Sequence, residues 1–442
     1  MKVLIIAKYF APQNTMGAVR PTKIAKYLHK NHNCNVDVVT MNEECVDIKD
    51  SLGEKDLQYI NHIFRAADPK WATVLTNMEY RFKRKELTKD IPVSANTVKW
   101  KTPDQNMSLG NRIYHSIQVV MEWMKESGYA RNAYKQIKKC VAEYDIIFAT
   151  YGPLSSIILG GMIKKKNPTV FLISDFRDAI RAGKGSLLAM RVKQKLVNNI
   201  TAKYSDAITT VSSGIAHDLL FEKDTRLHVV TNGYDMEDCM ETVHSQNDCL
   251  TLTYTGVIYE GKQDMRPLFQ AINELEREER IDTAKIKFQY AGPHFDLIEQ
   301  MAKDFSVEKI LENQGLVERK KALELQVHAD VLVLSTWNKK DMTIGWIGGK
   351  TYEYMMAQKP IIALITGDEP NSFTAEVINK GNIGFCYEEC NQETYQQLKD
   401  YLEEIYNTFY AGVPVKYSPN SDYISQFNYE CIAGKIWNIF AE

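Results

Sequence analysis

The sequence has no run of about 18 apolar residues, so no transmembrane helix is predicted. Its opening, MKVLIIAKYF, holds only a short apolar stretch before Lys8. That is too short for the apolar core of a secretory signal, and the chain is expected in the cytoplasm. There is no CxxC: the eight cysteines are scattered, and Cys386 and Cys390 lack a second pair to complete a zinc knuckle. Isolated thiols in a reducing compartment are expected, rather than a disulfide framework. No GxGxxG and no Walker loop occurs, and no DxD stands at a suitable strand end.

What is present is ordinary for a globular chain. Apolar residues make up 44 % and charged residues 25 %, which argues against a disordered, collagen-like or coiled-coil protein. The 442 residues suggest two to three domains at roughly 150 residues each. The net charge of −2 hides an asymmetry: residues 1–230 carry 35 Lys+Arg against 22 Asp+Glu, and residues 231–442 carry 19 against 34. Halves of opposite sign imply domains with different partners, the basic half attracting an anionic surface.

Periodicity gives the organisation. Val3–Ala7 is apolar throughout, as in a parallel strand covered on both faces. A loop with Pro12 and Gly17, a helix around Arg20–Lys30 and a strand Val36–Thr40 complete a βαβ unit. Residues 41–105 read as a long polar insertion that includes the basic cluster at 81–85. Helical patterns follow at Asn111–Lys125 and Ala130–Val141. Strands at Ile146–Thr150, Val170–Ser174, Ala207–Val211 and Leu227–Thr231 then alternate with helices. A second alternating series starts at Leu250–Tyr254, after an acidic linker Tyr234–Asp248, and Tyr423–Ala441 reads as one amphipathic helix. Repeated β-then-α order implies doubly wound parallel sheets, whose ligands bind at the carboxyl ends of strands.

Two loops in the second half carry the chemistry. Thr255-Gly256-Val257-Ile258-Tyr259-Glu260-Gly261-Lys262 follows its first strand. Glycines allow close backbone approach and Lys262 supplies a point charge suited to phosphate, although a plain βα turn would read the same way. Gly348-Gly349-Lys350-Thr351-Tyr352-Glu353 opens a helix that Pro360 ends. First-turn N–H groups with Lys350 suit a phosphate; Glu353 could accept both hydroxyls of a ribose, or simply favour the helix dipole.

The run GKTYEYMMAQKPIIA resembles the donor-nucleotide signature of retaining glycosyltransferases of family 4 (GT4), which have the GT-B fold. YTGVIYEGKQDMRPLFQAI resembles their glycine–lysine diphosphate loop, and FLISDFRD the acceptor-side loop of the capsule, O-antigen and exopolysaccharide subgroup. ITTVSSGIAHDL, VVTNGYD and AKYFAPQNTMGAVRPTKIAKYL resemble further landmarks, in order, across about residues 3–440. The resemblance implies an α/β chain of two Rossmann-like doubly wound domains facing across a cleft. They would be an acceptor-binding domain over 1–233, with its insertion at about 41–105, and a nucleotide-sugar-binding domain over 249–415. Residues 416–442 would form a helix crossing back to the first domain.

Residue by residue, the resemblance puts Lys262 and Lys350 on the donor diphosphate, Glu353 on the nucleotide ribose and Gly256 beneath the phosphates, with Gly17 as its N-terminal counterpart. Gly348, Gly349 and Thr351 complete the donor loop. Asp175 would face the transferred sugar, with Arg177 and Asp178 beside it on the acceptor side; Arg177 and Asp178 also read as a structural ion pair. One departure stands out. Many family members carry a glutamate eight positions before the ribose glutamate, where this chain has Gly345; Asp341 and the backbone at 345–349 are the candidates for the sugar's distal hydroxyls.

The implied reaction is hexosyl transfer from a nucleotide diphosphate sugar, UDP favoured, to a lipid-linked (polyprenyl diphosphate) saccharide with retained anomeric configuration. It would proceed by front-face substitution with no metal or other cofactor, the lysines and helix N-termini stabilising the leaving diphosphate. No acidic residue occurs between 179 and 205, where Arg181, Lys184, Arg191, Lys193, Lys195 and Lys203 interleave with Leu187, Leu188, Leu196 and Ile200. That pattern suits an anionic membrane and places the chain on the inner face of the cell membrane as a peripheral protein, with no nucleic-acid partner. Oligomeric state is not legible. Two other readings share these residues: a sugar-nucleotide 2-epimerase of the same fold, and a non-catalytic pseudo-transferase partner subunit.

Overall fold

A computed structural model describes residues 1–42, 49–72, 109–178, 180, 188–221, 223–240, 247–340 and 347–441. The expectations for Asp341, Gly345, Arg181, Lys184, the 81–85 cluster and most of the 41–105 insertion lie outside these residues. The chain divides into two compact units, one of Met1–Thr231 with Ile432–Glu442, the other of Asn232–Cys431.

The first unit runs β1 (Lys2–Ile6), α1 (Met16–His32), β2 (Asn35–Met41), α2 (Ser51–Asp56), β3 (His62–Ala66), α3 (Leu109–Ile137), β4 (Ile146–Tyr151), α4 (Ser155–Lys166), β5 (Phe171–Phe176), α5 (Leu188–Tyr204), β6 (Ala207–Thr210), α6 (Ser213–Asp218) and β7 (Leu227–Val229). Its sheet has the order β3-β2-β1-β4-β5-β6-β7, with every pairing parallel. The central strands are apolar and buried because helices cover both faces: all six residues of β4 are buried. The core joins Leu4, Ile147 and Leu172 from the strands to Ala133, Leu159 and Val197 from the helices.

The second unit runs β8 (Leu250–Thr255), α7 (Arg266–Arg277), β9 (Ile286–Ala291), α8 (Phe295–Lys303), β10 (Leu311–Asn313), α9 (Arg319–His328), β11 (Val331–Trp337), α10 (Gly349–Ala357), β12 (Ile361–Thr366), α11 (Phe373–Gly381), β13 (Gly384–Glu388), α12 (Glu393–Tyr410) and α13 (Ser421–Ser425). The strand order is β10-β9-β8-β11-β12-β13, again wholly parallel. In each sheet the order reverses beside the first strand, at β1/β4 and at β8/β11, which are the places where a doubly wound sheet opens a crevice at its strand ends.

Four elements differ from the sequence expectation. The insertion contributes β3, which extends the first sheet by pairing with β2 from Asp37↔His62 to Met41↔Ala66. HIFRA is a part-exposed edge strand, so it carries no apolar run to announce itself. The two helices expected at 111–141 are one, α3, with Gly128 inside it; a Cβ there would lie 2.3 Å from Pro69 Cγ, so this glycine serves close packing and not a break. Asp175 and Phe176, expected in a loop, complete β5. The final helix is two, α13 and α14 (Tyr429–Ala441), separated around buried Phe427. The later turns of α14 pack on the first unit, where Trp437 stacks on His32 at 4.7 Å and Phe440 meets Phe171 edge-on at 5.3 Å.

Candidate functional site

The strand ends beside β8/β11 gather cations on an otherwise acidic unit. The loop leaving β8 begins with Gly256 at φ +104, a conformation glycine adopts without strain. Its amide donates to the Ala291 carbonyl at 2.6 Å, closing the end of β8 against the end of β9. A Cβ on Gly256 would sit 2.6 Å from Lys350 Cε, so the backbone here passes directly under that side chain.

Lys350 stands in the first turn of α10, behind Gly348, an extended N-cap residue with no side-chain cap. A glycine N-cap offers no side-chain acceptor to the first-turn N–H groups. The Lys350 ammonium donates to the Tyr254 phenol oxygen and, at 3.0 Å, to the Val257 carbonyl, and lies 4.1 Å from the centre of the Tyr254 ring. Tyr254 is itself fixed by a bond to the Val257 carbonyl at 2.9 Å and by stacking on Tyr290. Burial pushes the Lys350 ammonium down to about 7, against a smaller upward pull from Glu353. A site that lowers a lysine's charge in this way is set to recover it when an anion arrives.

Lys262 closes the same loop, its ammonium 5.0 Å from the centre of the Trp337 ring at the end of β11. Lys339, just beyond β11, donates to the Gly261 carbonyl at 3.3 Å. Lys339 and Lys350 thus donate to carbonyls of the 256–262 loop, and Lys262 is the last residue of that loop. Thr351 is buried and its amide turns back to the Gly348 carbonyl at 3.1 Å, a helix-start contact. Gly349 begins α10.

Glu353 lies one turn further along α10, and the structure gives it a partner the sequence did not reveal. Its Oε1 accepts from Arg319 Nε at 3.2 Å. Arg319 in turn donates through Nη1 and Nη2 to Asp238 Oδ2 at 3.3 and 3.2 Å. Arg319 stands in an ERKK run, and Asp238 lies in the stretch read as the acidic linker. Nothing in their spacing links them to Glu353.

In the first unit the expected acceptor-side residues form a different arrangement. Asp175 is 0 % exposed and ion-paired to Arg20 at 2.8 Å. Its Oδ1 accepts from Arg20 Nη2 and Thr209, and its Oδ2 from Arg20 Nε and Thr150. Arg20 also donates to the carbonyls of Val230 and Thr231. Every acidic oxygen is occupied by protein, so Asp175 here ties α1, β4, β5 and β6 together.

Arg177 is likewise turned inward: Nε donates to the Tyr151 carbonyl at 3.1 Å, Nη2 to Gly152 at 2.6 Å and Nη1 to Gly17. A Cβ on Gly17 would lie 2.7 Å from Arg177 Nη1, so Gly17 is small to admit the guanidinium. Asp178 is exposed, 3.6 Å from Arg177 Nε, and is the one member of the trio with a side chain open to solvent.

No protein-family model matches the sequence, and no curated protein does. Solved structures do. HepE of Anabaena, determined with UDP-glucose, aligns with 100 % of this chain and 99 % of its own, with a TM-score of 0.58 and 12 % identity. Sucrose-phosphate synthase from Thermosynechococcus elongatus aligns with 100 % of this chain and 98 % of its own, at 0.61 and 10 %. A TarM variant of S. aureus, determined with UDP, alpha-GlcNAc-glycerol and Fondaparinux, covers 100 % of both chains at 0.56 and 10 %. At these identities the likeness defines the fold: two α/β Rossmann-like units with parallel sheets, the GT-B class.

Proposed function

We propose that this chain is a glycosyltransferase that takes its sugar from a nucleoside diphosphate donor, UDP-sugar favoured, bound at the β8/β11 strand ends of the second unit. The observation that carries the reading is one glycine loop that bears Lys262 and whose carbonyls accept from Lys339 and Lys350, beside the start of α10, which has no side-chain cap. Ligands named in the structures of similar fold, UDP-glucose with HepE and UDP with TarM, support that choice of donor. Glu353 supplies the carboxylate for the ribose.

In this reading the protein's contribution is electrostatic. As the glycosidic bond to the diphosphate breaks, negative charge grows on the bridging oxygen, and Lys262, Lys350 and the first-turn amides stabilise it. The charge comes from side chains and backbone, so the reaction as proposed calls for no metal. The acceptor hydroxyl loses its proton to the departing phosphate and enters on the same face, retaining the anomeric configuration, as the GT4 resemblance implies. A lipid-linked saccharide in surface-polysaccharide synthesis is the proposed acceptor. The first unit holds the acceptor side, with Asp178 as its open carboxylate; Asp175, Arg177 and Gly17 shape the loops around it.

A peripheral seat on an anionic membrane belongs to the same proposal. No described helix is long and apolar enough to cross a membrane. The first half of α3 exposes Ile113, Tyr114, Ile117, Val120 and Met124 at helical spacing, and α5 exposes Leu188, Val192 and Leu196. Arg112, Arg191 and Lys195 are exposed beside them, while Glu122 is held by Lys193 at 2.7 Å. Apolar ridges flanked by exposed cations suit anionic lipid.

The test is product analysis. The purified chain is incubated with UDP-sugars and a polyprenyl diphosphate saccharide. Release of UDP together with a lengthened lipid-linked glycan of retained configuration is expected. An epimerised donor sugar with no transfer would replace the transferase by an epimerase; no donor turnover and no nucleotide binding would leave a non-catalytic partner subunit.

A further inference from the structure

Glu353 is held by more than its own helix. Asp238 lies at the end of a single 3₁₀ turn, Met236–Asp238, that the Asp235 side chain caps by accepting from the Glu237 amide at 3.0 Å. Arg319 is the first residue of α9, and Glu353 is the fifth of α10. Three stretches of chain, distant in sequence, therefore meet in one line of charge. Side-chain exposures are 6 % for Asp238, 12 % for Arg319 and 16 % for Glu353, low enough for the pairs to be only weakly screened.

The geometry is asymmetric. Nη1 and Nη2 of Arg319 donate to Oδ2 of Asp238, and Nε donates to Oε1 of Glu353. Among the described residues Oε2 of Glu353 accepts no hydrogen bond. A planar guanidinium fixes direction as well as charge, which a lysine cannot do. With Arg319 held by Asp238, the Glu353 carboxylate is fixed through Oε1 and keeps 16 % side-chain exposure.

We infer that Arg319, braced by Asp238, is a positioning residue that orients the Glu353 carboxylate toward a pair of adjacent hydroxyls on the ligand, so that the site selects a ribonucleotide over its deoxy counterparts. The inference rests on the donor reading above. Arg319 touches no ligand in this account; it acts through Glu353.

Binding of UDP, 2′-deoxy-UDP, 3′-deoxy-UDP and inorganic pyrophosphate to the full chain, measured by calorimetry, tests it. The wild type is expected to bind UDP about tenfold or more tightly than either deoxy form, the loss of a hydrogen bond to a charged group. In Arg319→Lys and Asp238→Asn that ratio collapses toward one, while pyrophosphate affinity stays at the wild-type value. Unchanged pyrophosphate affinity also shows that the variants are folded at the site. Variants that keep the wild-type ratio overturn the inference and leave the donor reading standing. A wild type that binds none of the nucleotides overturns both.

Discussion

Lys350 makes the donor proposal testable through protons. Burial against Tyr254 and the Val257 carbonyl holds its ammonium near pH 7, whereas an unperturbed lysine titrates near 10.4. A bound diphosphate places negative charge where the ammonium can reach it, and the charged form is again favoured. At pH 8 the free site is therefore mostly neutral and the occupied site charged, so that UDP binding takes up about 0.9 proton through this group. Affinity then falls about tenfold per pH unit above 7, until the lysine titrates in the complex as well. Below pH 7 Lys350 is already protonated and adds no dependence; there the terminal phosphate of UDP, with a pKa near 6, governs the slope. Calorimetric titrations from pH 6.5 to 9, in buffers of differing ionisation heat, count the protons directly. Lys350→Met should weaken UDP binding at pH 7 and abolish the uptake at pH 8. Wild-type binding without proton uptake above pH 7, or an identical slope in Lys350→Met, would refute the argument. The same lowered value has a consequence without ligand. Above pH 7 the unfolded chain holds this proton and the folded chain does not, so the group's contribution to stability rises with pH between about 7 and 10.

Three further outcomes follow from the geometry. Gly256→Ala must place a Cβ at φ +104 and displace Lys350, and is expected to lose about 1–3 kcal/mol of stability together with most UDP affinity, read by thermal unfolding with and without nucleotide. Arg20→Met leaves the buried Asp175 carboxylate without its cation and should cost about 3–5 kcal/mol in urea denaturation; a loss below about 1 kcal/mol would show that the pair is not the tie described here. Replacing Ile117 and Val120 with Asp should abolish sedimentation with phosphatidylglycerol vesicles while leaving UDP affinity intact, and neither wild type nor variant should sediment with phosphatidylcholine alone; wild-type sedimentation of the variant would remove these residues from any membrane seat.

The fold was legible where burial writes an uninterrupted apolar run. Leu250–Thr255 and Ile146–Tyr151 are covered on both faces and carry that signature, and their alternation with helices implies parallel sheets. It was illegible at edges and at close approaches. His62–Ala66 is half-exposed and reads as a polar stretch, and Gly128 looks like a break until Pro69 is seen against it. For the candidate site, local placement was readable: Gly256, Lys262, Lys350 and Glu353 lie on the strand-end loop and helix start expected from their sequence context. Long-range partners were not. Which carboxylate Arg20 or Arg319 meets depends on tertiary packing, with 155 residues separating Arg20 from Asp175 and 81 separating Arg319 from Asp238. The partners of Asp175 were equally invisible in its motif: the structure surrounds it with four protein donors.

The central claim is that the second unit binds a nucleoside diphosphate through Lys262, Lys350 and Glu353. It is tested most directly by a thermal-shift titration of the wild type and of Lys262→Ala, Lys350→Met and Glu353→Ala with UDP, GDP, ADP and CMP. Ligand at about 100 times its dissociation constant adds about 2.7 kcal/mol, which a melting curve resolves. The account predicts that one diphosphate, UDP, stabilises the wild type and that each substitution removes most of that shift without lowering the ligand-free transition by a comparable amount. No shift with any nucleotide, or an equal shift in all four proteins, would contradict it.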